Sequence, residues 1–406
     1  METTGTVPDA PLALRAAARL KALALLCLLG VIYALRPLVR VRFGTLVAGR
    51  LGHLAANTEC YLCERAAGLH RRTFDIWTPE KPANAYLLKM YERAIFTWHS
   101  RIPAMLGKAA EFLDWWHEHQ FSDANMGRDI YNLFERVPAH LSFTRREEAR
   151  GEAELCAMGI PKGAKWVCLI VRDAAYLRDK GNFAYHDFRD SDINAYRLAA
   201  FKLAQRGYYV VRMGAAVEKP FRVAHHRVID YANEGRSEFM DIYLGAKCEF
   251  CLSNATGFDA IPMVFRRPIC FVNVAPVEYL QTYLKDSIAV WKHHFRAGQR
   301  MTFAEIIESG AGRVLTSQAF KAGGIELEDN TPDEIADAAQ EMADRVEGMR
   351  STVERSTVEQ SSFWSAFPRS ISTTTGMPLH GEIRMRVGRE FFNNLQREPL
   401  RREATV

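Results

Sequence analysis

The spacing of apolar residues changes period along the chain, and each change marks an element. Residues 248–252 form a short, nearly apolar run, as expected of a strand covered on both faces of a parallel sheet. Ser253-Asn254-Ala255-Thr256-Gly257 follows, small and hydroxyl-bearing, suited to a sharp turn and a helix N-cap. A short helix over 258–265, interrupted by Pro262, and a strand over 269–274 complete the unit. Upstream, the same alternation predicts strands at 167–171, 208–212 and 228–230. Between them lie helices at 193–206, capped by Asp192 and closed by Gly207, and at 238–246, capped by Ser237. Such alternation predicts an α/β fold built on a parallel sheet.

The first third reads the same way in shorter pieces. A strand at 39–43 leads into a loop with Gly49, Gly52 and His53, which opens a helix to about residue 64. A strand at 73–77 and helices at 86–94, 107–119 and 141–158 follow, the last capped by Ser142 or Thr144 and ended by Gly159. Trp115 and Trp116 read as core. The turn Pro161-Lys162-Gly163 marks a junction. Past residue 274 the pattern predicts helices at 276–284, 303–308 (capped by Thr302), 333–349 (Thr331 as N-cap, Pro332 in the first turn) and 381–395. The expected organisation is an N-terminal helix (1–38), two α/β domains (39–160 and 161–350), and a tail (351–406). The last helix of that tail would return to the first domain and close a cleft.

Residues 22–35 are an apolar run, preceded by Arg15, Arg19 and Lys21 and followed by Arg36, Arg40 and Arg42. The run is fourteen residues long, whereas a spanning helix needs about 20. Its basic flanks predict a helix held at an anionic membrane surface, or a short anchor. The alternatives are an ordinary helix packed on the protein and a signal-peptide core, the latter opposed by Arg36-Pro37, where cleavage would need small residues.

At 406 residues the chain favours two domains over one, and 48% apolar with 25% charged residues is ordinary for a globular enzyme. A net charge of +5 fits an anionic ligand or a membrane surface and is too weak for nucleic acid. Eight cysteines include two CxxC spacings, Cys60/Cys63 and Cys248/Cys251. On a strand the latter two would face opposite ways and could not chelate together. Buried thiols in a reducing, cytoplasmic compartment, with no metal and no cofactor, is the reading. No HExxH, DxD between strands, P-loop, GxSxG or dinucleotide fingerprint is read, which disfavours metalloproteases, metal-dependent DxD transferases, P-loop NTPases, α/β-hydrolases and dinucleotide-dependent enzymes.

Three strand ends carry candidate chemistry. Arg172 closes the strand at 167–171 and heads a long polar loop to residue 191; Arg212 closes the next strand, with Gly214 just beyond; the third ends in Ser253, Asn254, Thr256 and Gly257. Carboxyl ends of parallel strands face one crevice, and two guanidiniums with a helix N-terminus would hold a diphosphate there. The structural alternative pairs the arginines with Asp173, Asp187, Asp190 or Asp259.

Several long blocks resemble a known family. They are RFGTLVAGRLGHLAANTECYLCER (42–65), VCLIVRD (167–173), YHDFRDSDINAY (185–196), GYYVVRMG (207–214), residues 237–273, EDNTPDEI (328–335), FWSAFP (363–368) and GEIRMRVGREFF (381–392). Together they are similar to bacterial glycosyltransferases associated with surface-polysaccharide gene clusters, over nearly the whole chain from residue 39. The resemblance implies a GT-B-like pair of Rossmann-type domains facing a cleft, the first for the acceptor and the second for the donor, and a distant similarity to fucosyltransferases. It implies metal-independent transfer of a sugar from a nucleotide-diphosphate donor to a glycan or lipid-linked acceptor, at the cytoplasmic face of the inner membrane. Arg172 stands where that superfamily holds the diphosphate, although Val171-Arg172-Asp173 departs from its His-x-Arg pattern. Candidate proton acceptors are His53, Glu59, His186 and Asp187, with Gly52 and Asn57 as further substrate contacts and Asp259 meeting a sugar hydroxyl or fixing an arginine. A non-catalytic scaffold that binds a nucleotide sugar or glycan is the rival reading.

Overall fold

The computed structural model describes residues 12–121, 127–173, 175, 184–349, 360–361, 363–373 and 375–395. A helix, Leu12–Leu35, precedes a small parallel sheet of β1 (Arg40–Leu46), β2 (Thr73–Pro79) and β3 (Phe96–Thr97), in that spatial order. A second parallel sheet starts with β4 (Trp166–Ile170), β5 (Tyr209–Arg212), β6 (Val228–Ile229), β7 (Phe250–Ser253), β8 (Ile269–Val274) and β9 (Ile288–Trp291). A short antiparallel sheet follows, of β10 (His293–Arg296), β11 (Gln299–Arg300) and β12 (Ile325–Glu328). Finally β13 (Arg386–Val387) joins the edge of the second sheet, whose order becomes β13-β9-β8-β7-β4-β5-β6. The fold is therefore α/β with two separate parallel sheets.

The order of the large sheet creates a crevice. The chain begins at β4, builds outward through β5 and β6, then returns to the other side of β4 with β7, β8 and β9. Loops leaving β4 and β7 thus part in opposite directions, and open α/β sheets leave a crevice at such a reversal. β4, β7 and β8 are buried along their whole length, and their sequences are apolar apart from Ser253 and Asn273.

Local signals set many helix starts. Thr144, Thr302 and Thr331 each form a reciprocal capping box with the glutamate three residues on. The Leu51–Ala66 helix lies against both halves: Tyr91 donates to the Ala55 carbonyl from one side, and Arg266 reaches Glu59 from the other. One buried apolar cluster runs from Leu46 and Trp77 through this helix to β4–β9. A smaller one, with Leu29, Ile32, Phe43, Ile76, Leu106 and Trp116, lies beneath the Leu12–Leu35 helix.

Four expectations are corrected. The helix at 107–119 is instead an α-helix, Ile102–Ala110, and a 3-10 turn, Asp114–His119. At 276–284 only a 3-10 turn, Val277–Tyr279, forms. Cys248 lies outside β7, as the extended residue ending the Glu238–Lys247 helix, so the opposite-faces argument does not apply to it. The tail is β13 followed by a short helix, Arg389–Leu395, which packs on the Pro332–Val346 helix of the large sheet. Pairing with the open edge of β9 captures Arg386 and Val387 as strand. The reach to the first half is made by the segment before β13, where Arg128 donates to the Leu379 carbonyl and Asn132 exchanges hydrogen bonds with the backbone of Glu382.

Candidate functional site

At the β4/β7 reversal, the loops leaving the two strands are stitched together. The Arg172 N–H donates to Asn254 Oδ1 at 2.8 Å, and Asn254 Nδ2 donates to the Arg189 carbonyl at 3.1 Å. Asn254 is 1% exposed and both ends of its amide are used, so it is a positioning residue for the loop after β4. A cavity of about 190 Å³ opens beside this stitch, lined by His186, Phe188 and Arg189 from the β4 loop, by Ala255, Thr256 and Asp259, and by residues at and beyond the end of β8, Tyr279 and Gln281 among them.

The guanidinium that lines this cavity is Arg189, which sequence reasoning did not single out. Its Nη2 donates to the Ala255 carbonyl at 2.5 Å, while its Nε is shielded from solvent and has no partner. No carboxylate among the described residues pairs with it. Burial, and then the neighbouring Arg172, pull its pKa down to about 10, so it stays charged at neutral pH. Arg172 sits next to it with Nε donating to Asp190 Oδ1 at 2.9 Å, one of the structural pairings considered for it. Lys292, 4% exposed at the end of β9, donates to the Asp190 carbonyl and pairs with Asp329. Two arginines and a lysine thus share this corner with Asp190 and Asp329. Contrary to the expectation of no DxD between strands, Asp190 and Asp192 spell an Asp-x-Asp triplet between β4 and β5; Asp190 is held by Arg172, and Asp192 caps Asn194 and pairs with Lys219.

The Ser253–Gly257 loop differs from expectation in its chemistry. Thr256 and Asp259 form a capping box: the Thr256 N–H donates to Asp259 Oδ2 at 2.7 Å, and the Phe258 N–H to Thr256 Oγ1 at 3.2 Å. The Ala255 N–H donates to Ser253 Oγ. These N–H groups, expected to meet a phosphate, are satisfied within the loop. The helix beyond is one 3-10 turn and then Ala260–Val264, too short to present a strong dipole. Positive charge at the crevice therefore comes from side chains. Asp259 lines the cavity while 1% exposed, and burial pushes its pKa up to about 7, against hydrogen bonds from Ser253 and Thr256.

Next to Thr256 the two halves touch backbone to backbone, and Gly52 and His53, expected in a loop, lie in the first turn of the Leu51–Ala66 helix. A Cβ on Gly52 would stand 3.1 Å from the Gly257 Cα and carbonyl oxygen, so two glycines predicted to be substrate contacts meet each other. His53 follows Gly52, with Nδ1 3.4 Å from Asn57 Nδ2, and Asn57 itself is buried. His186 lines the cavity with its ring tilted on Tyr185; burial and then Arg189, Arg172 and Arg50 push its pKa below the usual histidine range.

Other candidates fall outside the crevice. Arg212 is wholly buried on β5, 3.0 Å from Asp230 Oδ1, and Gly214 packs on Val217; β5 lies two strands from β7. Glu59 is 0% exposed and accepts from Arg266 Nη2 at 2.7 Å and from the His140 N–H, so it is an interior counter-ion. Asp187 is exposed and does not line the cavity. Glu59, Cys63 and His140 bring three ligand-type atoms within 4.8 Å of one another. The Arg266 guanidinium, also 3.4 Å from Cys63 Sγ, already stands as the cation of that group.

No protein-family model matches the chain, and no curated protein matches it. Among solved structures it is similar to a family 9 glycosyl transferase from Veillonella parvula, with a TM-score of 0.45 and 10% identity over 74% of this chain and 96% of that one. An ADP-heptose heptosyltransferase II from E. coli aligns with a TM-score of 0.32 and 12% identity, over 56% and 83% of the two chains. A UDP-GlcNAc 2-epimerase from Neisseria meningitidis, bound to UDP-GlcNAc, aligns with a TM-score of 0.32 and 10% identity, over 75% and 98%. None of these likenesses assigns a role to a residue of this chain.

Proposed function

We propose that the crevice at the β4/β7 reversal holds the diphosphate of a nucleotide sugar, and that the protein is a glycosyltransferase acting on a glycan or lipid-linked acceptor. The observation that carries this reading is Arg189, a charged guanidinium in the cavity wall with an unpartnered, shielded Nε and no paired carboxylate among the described residues. Leaving a buried donor unmet is costly, and an anion would repay it. At about 190 Å³ the cavity is smaller than the roughly 300–1,000 Å³ of whole-ligand pockets, which suits the diphosphate portion of a longer donor. The resemblance of residues 42–65 and 237–273 to surface-polysaccharide glycosyltransferases supports the same reading.

In such a transfer the bond from the sugar to the diphosphate breaks and the diphosphate leaves with the electron pair. Arg189, backed by Arg172, would meet that charge. The acceptor hydroxyl loses its proton as it attacks. His186, held neutral by burial and the surrounding arginines, is able to take it; His53, across the Gly52/Gly257 contact, is the second candidate. Thermal-shift titration with ADP, GDP, UDP and dTDP tests the binding step. Arg189→Ala should weaken the preferred diphosphate by roughly 10–100-fold with little change in Tm, since it removes a charge-assisted bond. Arg189→Lys should recover only part, for want of the planar fork. Unaltered affinity in a folded Arg189→Ala protein would refute the assignment, and tight binding without turnover on any glycan acceptor would identify a scaffold.

A further inference from the structure

The Leu12–Leu35 helix shows the protein only one side. Leu25, Leu28, Leu29 and Ile32 pack on β1, β2 and the Ile102–Ala110 helix. At 100° per residue the opposite arc carries Leu20, Leu23, Leu26, Cys27, Gly30, Val31 and Ala34, all exposed, with Leu23 and Leu26 at 59% and 62%. A helix that covers its host on one face is normally polar on the other. Here residues 22–35 contain no charged side chain at all. The neighbouring segment adds a second apolar exposure: Met105 is 39% and Phe112 86% exposed.

Charge frames this surface. From Ala10 to Thr58 the chain has seven arginines and lysines and no acidic residue. Arg19, on the apolar arc, and Lys21, on the flank toward Leu28, are both exposed just before the apolar stretch, and no described acid pairs with either. Arg36 and Arg40, at the other end, share the single carboxylate of Glu118. The apolar stretch of fourteen residues is about 21 Å long, against a hydrocarbon core of about 30 Å, and no described helix is long and apolar enough to cross a membrane.

We infer that this face docks on an anionic lipid bilayer, the helix lying in the interface with Leu23, Leu26 and Val31 in the acyl region and Arg19 and Lys21 at the headgroups. Both parts of the surface are needed: apolar area gives depth, and the cations select anionic lipid. The inference is independent of the crevice.

Sedimentation of the full chain with vesicles tests it. The protein should pellet with phosphatidylglycerol-rich vesicles at low salt, and less with phosphatidylcholine alone. Leu23→Asp with Leu26→Asp should cut binding at least about tenfold, since each leucine left out of lipid costs more than that factor. The Tm should hold, because both side chains are already exposed. Arg19→Glu with Lys21→Glu should reduce binding to the anionic vesicles and leave the residual binding to neutral ones. Absence of vesicle binding, or undiminished binding by the leucine variant, would overturn the inference. So would a lipid-free dimer that the leucine variant splits, which would make this face an interface between copies of the chain.

Discussion

Asp259 sets a pH dependence for the crevice. Its carboxyl, pushed up to about 7 by burial, is ordinarily ionised above about 4, so between those values the folded state holds a proton that the unfolded chain has released. Stability from this group is therefore greatest in acid and declines as pH rises toward 7, the reverse of a salt-bridged aspartate. The same proton affects binding, because a charged Asp259 in the cavity wall repels a diphosphate. Affinity for a nucleotide sugar, whose diphosphate diester does not itself titrate here, should fall as pH rises from 6 to 8. Asp259→Asn should flatten that fall, as isothermal titration at several pH values would read; an unchanged slope would remove Asp259 from the account. Glu59 is tested through its ion pair instead. Its buried charge is matched by Arg266, and deleting one partner of such a pair costs about 3–5 kcal/mol. Arg266→Ala should lower stability on that scale in urea unfolding, and Glu59→Gln added to it should restore part. An Arg266→Ala protein as stable as the parent would show that the pair matters little. Glu59 was a reasonable candidate base from its place after a glycine loop, and nothing local in the sequence announces that an arginine two hundred residues away reaches it.

Among elements, the first turn of the Leu51–Ala66 helix and the loop at 253–257 meet beside the site. Gly52 stands at a close approach, where a Cβ would crowd the Gly257 backbone at 3.1 Å. Gly52→Val should force the two apart at a cost of about 1–3 kcal/mol and weaken nucleotide-sugar binding together with stability. A variant with full stability and affinity would mean that the contact is soft. Loop chemistry was legible up to a point: the small-residue run and the Thr256 cap are both present. Its consequence was not, because the capping box consumes the N–H groups that a bare turn would leave for a ligand. The Thr331 and Pro332 start of the Pro332–Val346 helix was legible too, because its cap and its charged first turn involve neighbours in sequence.

At the scale of the molecule, the parallel α/β character followed from apolar runs alternating with helical patterns, and Ile269–Val274 was read to its ends. Strands β9 to β13 were not read. They run two to four residues each, too short for a period to show, and β13 exists because β9 offers an open edge. Strand order was equally invisible, and it decided which arginine matters. Arg172 and Arg212 each close an apolar run, whereas Arg189 lies near the end of the long polar loop that Arg172 heads. With β5 placed two strands from β7, Arg212 is enclosed by Asp230; with the β4 loop folded back over β7, Arg189 enters the cavity wall and Arg172 takes Asp190. Residue spacing governs burial along one strand or helix, because those periods are properties of the local backbone. The partner of a charge is chosen among groups brought near from anywhere in the chain, so caps and the longer strands could be read from neighbours while the cavity-lining guanidinium had to await the packing of the β4 and β7 loops.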